Sequence, residues 1–132
     1  MELYYEFDNY IKRQKTPLKD ENGRLLYYGI YDFSYKFRTR IFDAADNEIS
    51  YVEKDITADK PLVKGFTHDN KLLFELTKEN DEYQVMPQGW RFVMKDNGFV
   101  INNVMMADRN RVVSDDMDIA LPLLFAMVEI QR

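Results

Sequence analysis

The single histidine of this chain, His68, lies in Thr67-His68-Asp69-Asn70, the kind of polar cluster that marks a turn. A Ser-His-Asp hydrolase would have to be built on it, because there is no cysteine nucleophile and no Gly-x-Ser-x-Gly elbow to present a serine. The pattern points to an exposed turn histidine rather than a catalytic base. Five glycines, mostly at turn signals, leave no Gly-rich phosphate loop or dinucleotide fingerprint. Asp115, Asp116 and Asp118 supply hard oxygens of the sort Ca²⁺ or Mg²⁺ takes. An EF-hand loop also needs a central Gly and a terminal Glu, which this stretch lacks. These acids read first as helix caps, and Asp43, Asp46 and Glu48 first as turn residues. No enzyme, resident metal or cofactor is expected.

The cationic series Lys36, Arg38, Arg40 is the more pointed feature. Its period of two places all three charges on one face of a strand, where they repel one another unless something negative lies nearby. The first reading is cross-strand pairing with acids such as Glu48, Glu53 or Asp55, contributing about 0.2–1 kcal/mol each. The second is an anion or lipid-headgroup site, in which guanidinium groups grip phosphate in two-pronged fashion. Lys12, Arg13 and Lys15 read as a solvated segment before Pro17. Met105, Met106 and Met127 read as core filler, with an adaptable binding surface as the second possibility.

The elements that must carry these residues are legible from turns and alternation. Turn signals recur at Asn22-Gly23, Asp46-Asn47, Asp69-Asn70, Gln88-Gly89, Asn97-Gly98 and Arg109-Asn110, flanked by aromatic and β-branched residues. Asn-Gly suits a type I′ hairpin, whose two central residues both need positive φ. Between the turns, Tyr35, Phe37, Thr39 and Ile41 alternate with the basic series. Leu72, Phe74 and Leu76 alternate with Leu73, Glu75 and Thr77, and Trp90, Phe92 and Met94 with Arg91 and Val93. In Leu25-Leu26-Tyr27-Tyr28 and in Phe99-Val100-Ile101 both faces are apolar, which predicts strands covered on two sides. The first three turns recur near every 23 residues, but the residues between them do not match, which reads as a meander rather than a repeat.

Ser114-Asp115-Asp116-Met117-Asp118 leads into an apolar run whose core positions are Ile119, Leu121, Leu123, Leu124, Phe125 and Val128. Acids before such a run suit a helix N-terminus, with the cap at Asp116 or Asp118 and Pro122 in or beside the first turn. A helix apolar on every side must be surrounded, and a sheet curled around it does that. With 132 residues and no linker or low-complexity tract, one domain over 1–132 with one core is expected. Nine Tyr, nine Phe and one Trp fill that core, and the lack of cysteine excludes disulfides and fits a cytoplasmic setting. The start lacks the basic and apolar regions of a signal peptide, and Ile119 to Val128 is too short to span a bilayer. A net charge of −5 disfavours nucleic acid as a partner.

Hairpins closing on a hydrophobic C-terminal helix resemble the tubby C-terminal-like group, in particular the LURF-one-related family of small bacterial and plant proteins. The segments that carry the likeness are residues 19–28, with Asp20-Glu21-Asn22-Gly23, residues 40–52, with Asp43-Ala44-Ala45-Asp46-Asn47, and the terminal helix. The resemblance implies a closed antiparallel β-barrel threaded by that helix. Tubby proteins use this fold to bind phosphoinositides, and phospholipid scramblases share it. The implied function is a non-enzymatic binding or scaffold module, acting on an anionic lipid headgroup or beside the membrane. The alternative is a protein-interaction subunit working through strand edges or an oligomer interface. The sequence does not determine the oligomeric state.

Overall fold

A computed structural model describes residues 1–6, 15–32, 37–108 and 110–131. The strands are β1 (Glu2–Tyr4), β2 (Lys15–Lys19), β3 (Leu25–Asp32), β4 (Arg38–Asp43), β5 (Glu48–Lys54) and β6 (Leu62–Thr67). They continue with β7 (Leu72–Glu79), β8 (Glu82–Met86), β9 (Trp90–Val93), β10 (Phe99–Ile101), β11 (Met105–Ala107) and β12 (Arg111–Ser114), followed by α1 (Met117–Ile130). All pair antiparallel in one sheet ordered β10-β11-β12-β1-β2-β3-β4-β5-β6-β7-β8-β9. The chain therefore runs as a meander, as its turn spacing predicts. β1 and β12 join the beginning of the chain to its end, with Leu3 opposite Val112. The two terminal strands of the sheet, β9 and β10, are consecutive in sequence, and the Lys95–Gly98 bridge ties them. The result is a nearly closed twelve-stranded barrel with its seam between β9 and β10.

Three of the turns share one construction. Asp20 Oδ1 accepts from the amides of Asn22 and Arg24, and Asp43 Oδ1 from those of Ala45 and Asn47, each at 2.9 Å. Thr67 Oγ1 accepts from Lys71 N at 3.1 Å. Gly23, Asp46 and Asn70 occupy the same left-handed position, with φ of 82°, 68° and 70°. Each is a residue type that tolerates this conformation. The Tyr28 hydroxyl donates to Asp46 Oδ1 and the Tyr51 hydroxyl to Asn70 Oδ1, both at 2.6 Å. The carboxylate against it pushes the Tyr28 phenol up to about 12. A repeat thus exists at the level of turns, hidden in the sequence because Asp and Thr, or Gly, Asp and Asn, fill equivalent places. The type I′ expectation does not hold at Asn22-Gly23, where Gly23 has positive φ and Asn22 does not, and it shifts by one residue at the β9/β10 hairpin. Its positive-φ pair is Asp96-Asn97, and Gly98 belongs to the closing bridge.

Inward-facing residues of successive strands, among them Ile41, Val52, Val63, Phe74 and Leu76, are wholly buried against α1. Leu121, Leu123 and Phe125 are fully buried and Leu124 is 3% exposed, so the helix occupies the barrel as its composition requires. Phe125 lies so close to Gly29 that a β-carbon there would sit 2.4 Å from the ring, which leaves room for nothing but glycine. Ile119 and Val128, expected in the core, are half-buried. Asp116 is the cap and accepts from Asp118 N at 3.2 Å. Because the helix starts at Met117, Pro122 falls just beyond its first turn, as a cap at Asp116 requires. The apolar reading also stops short of Glu129, buried in the same helix and accepting from Thr39 Oγ1 at 3.4 Å.

Candidate functional site

Arg38 and Arg40 project from the outer face of β4, opposite the buried Thr39 and Ile41. Arg38 stands directly across from Glu53, and its Nε donates to Glu53 Oε1 at 2.9 Å. A bulge between Ile41 and Phe42 brings Glu48 within reach of Arg40, whose Nε donates to Glu48 Oε2 at 2.9 Å. The row continues with alternating sign: Glu53 faces Lys64 on β6, and Lys64 faces Glu75 on β7, with Nζ 3.8 Å from Glu75 Oε1. The Arg38 guanidinium also lies 4.2 Å from the centroid of the Tyr51 ring, which stacks on Phe66. Glu48 and Glu53 are thus the partners, while Asp55 turns back to accept from Thr57 N at 2.9 Å. Lys36, the third member of the series, lies outside the described residues, as do Lys12, Arg13 and Tyr35. An anion seated on Arg38 and Arg40 would have to displace two carboxylates already in two-pronged contact.

The acids ahead of the helix do not converge. Asp115 is exposed, Asp116 caps, and Asp118 is exposed in the first helical turn. Among the described residues no three His, Cys, Asp or Glu side chains are placed to hold a metal ion.

A different feature emerges on the outer face at the seam. Val100 on β10 faces Met106 on β11, Met106 faces Val113 on β12, and Val113 faces Glu2 on β1. On the other side, continuing the Lys95–Gly98 register sets Val93 of β9 opposite Val100, and Val93 faces Glu82 on β8. The row reads Glu2, Val113, Met106, Val100, Val93, Glu82: four apolar side chains with a glutamate at each end. Each glutamate holds an arginine, Glu2 with Arg111 at 2.9 Å and Glu82 with Arg91 at 3.4 Å. Val100 is 58% and Val93 43% exposed. The expectation that Phe99-Val100-Ile101 is covered on both sides is therefore corrected: the core covers Phe99 and Ile101, while nothing among the described residues covers Val100. Met105 and Met127 are core filler as expected, but Met106 stands half-exposed in this row. The two-faced apolar run was the available signal.

The turn end of the barrel holds a cleft of about 860 Å³, lined by Asp46, Glu48, Ser50, His68, Asp69 and Asp118 with Ile49 and Leu73 as apolar wall. His68 is exposed, as expected of a turn residue, and lines this cleft, yet among the described residues it pairs with no serine: Ser50 is 3% exposed and its Oγ has no hydrogen-bond partner among them. A serine nucleophile needs its base within hydrogen-bond reach. Comparison with protein-family models, curated proteins and solved structures finds no match to this chain.

Proposed function

We propose that this domain is a non-enzymatic binding module of tubby-like type that docks protein through the outer apolar row at the β9/β10 seam. The observation that supports this reading is the row itself, Val113, Met106, Val100 and Val93, because exposed contiguous apolar surface rimmed by polar residues is where protein partners bind. The partner is a second copy. An apolar centre flanked at both ends by an Arg–Glu pair is self-complementary under a two-fold axis, which sets each arginine against the other copy's glutamate. An anionic lipid headgroup is the lesser reading, since the Arg38 and Arg40 charges already meet Glu53 and Glu48.

Sedimentation velocity over a concentration series, paired with flotation on neutral and phosphatidylserine vesicles at low salt, tests the choice. The wild type is expected to self-associate, and the Val100→Lys/Met106→Lys variant to stay monomeric with an unchanged circular-dichroism spectrum. A wild type that remains monomeric at every concentration, or a variant that associates equally, overturns the docking reading. Retention on anionic vesicles alone, lost in Arg38→Gln/Arg40→Gln, would put the lipid reading in its place.

A further inference from the structure

We infer that the cleft at the turn end of the barrel is a site for an alkylammonium ligand, separate from the seam and independent of what docks there. It is framed by the turn after β4, the turn after β6 and the first turn of α1, so three separate stretches of chain meet around it. Four carboxylates line it. Glu48 is engaged by Arg40, and Asp69 has the Lys71 ammonium 3.8 Å away. Among the described residues Asp46 and Asp118 have no cationic partner, and Asp46 uses one oxygen to accept from Tyr28. Two uncompensated negative charges therefore face the same space.

Turn and cap chemistry accounts for acids at such a place, but not for Ser50. Its hydroxyl is buried on the inner face of β5, a strand that lines the cleft, and has no hydrogen-bond partner among the described residues, although a buried hydroxyl without a partner costs free energy. An N–H donor entering the cleft gives that oxygen its partner. The charges are also spread rather than gathered: among the described residues no three ligating side chains converge as a metal ion requires, and Ile49 and Leu73 supply apolar wall to the same cleft. Separated carboxylates over a hydrocarbon surface, with a buried oxygen acceptor, match an ammonium on a short alkyl chain better than a bare cation. A free diamine and a lysine side chain of another protein share this chemistry.

Calorimetric titration at low salt with butane-1,4-diamine, N-acetyl-lysine methylamide, butane-1,4-diol and magnesium chloride tests the assignment. Binding of either amine, with neither diol nor magnesium matching it, is the expected result, and the tighter of the two amines identifies the source. Asp46→Asn/Asp118→Asn should weaken that binding about tenfold or more. The fold should tolerate it, because Asn70 already fills the position equivalent to Asp46 and accepts from Tyr51 in the same way. Ser50→Ala should weaken amine binding without lowering the melting midpoint of the free protein, since it removes an unpaired buried hydroxyl. No heat with either amine, an equal response to diol or magnesium, or full binding by the double variant overturns the site.

Discussion

Two stretches of the same outer wall are built on opposite principles. On β4 to β7 one row of the exterior alternates in charge, Arg38, Glu53, Lys64 and Glu75, each facing its opposite across the ladder. On β9 to β12 the exterior is a row of valine and methionine closed off by ion pairs at either end. In the first row each charge has an opposite charge beside it. The second leaves apolar area in water, at roughly 25 cal/mol per Å² of unrealised burial. Two of the cations that stand out in the sequence, Arg38 and Arg40, thus lie on the charge-paired row, each against a glutamate.

Both faces rest on the same plug, and the largest expected effect comes from damaging it. Leu124→Asp places a charge at a position 3% exposed inside the barrel and should cost at least about 3 kcal/mol, read as loss of the cooperative melting transition or a collapse of its midpoint. A variant that melts like wild type would mean that the two faces do not share a core.

Acid comes next. The carboxyls of Glu2, Asp43, Asp55, Asp69 and Asp108 are all held below their usual range. Arg111 and Tyr4 act on Glu2, the Asn47 amide on Asp43, Thr57 on Asp55, the Thr67 hydroxyl on Asp69 and the Asn110 amide on Asp108. A depressed folded-state pKa contributes stability that is present above the unfolded value, near 3.8 for Asp and 4.5 for Glu, and lost as pH falls through the folded one. The melting midpoint should therefore be flat above about pH 5 and drop steadily below it. A midpoint that rises on acidification would show that these contacts do not hold the turns.

Smaller effects separate the faces. Val100→Lys should leave stability within about 0.5 kcal/mol while abolishing self-association, and wild-type association should vary little with salt. A double-mutant cycle on Arg38→Gln and Glu53→Gln should give a coupling of about 0.2–1 kcal/mol that fades as salt rises. Strong salt dependence at the seam, or none on β4, would reverse the contrast.

Period-two alternation and polar turn clusters were enough to read the strands, because each strand's neighbour lies one turn away and backbone sterics favour Gly, Asn and Asp at positive φ, Phe37 being the exception among the described residues. The buried helix was equally plain, since a segment apolar on all sides has no stable place but an interior. The partners of Arg38 and Arg40 could be narrowed to a few acids, and register then chose Glu53 and, through a bulge, Glu48. Other features had no local signature. Closure through β1 and β12 joins residues more than a hundred positions apart, and the seam falls between β9 and β10 only because that closure occurs elsewhere. Whether Val100 is covered depends on which face the single helix reaches, and one helix inside a barrel covers inner faces alone. The gathering of Asp46, Ser50, His68 and Asp118 around one cleft likewise follows from three turns sharing an end of the barrel. Sequence spacing determines what each residue can do locally, while long-range strand order decides which residues share a surface, because that order is set by packing around the helix and not by any neighbour along the chain.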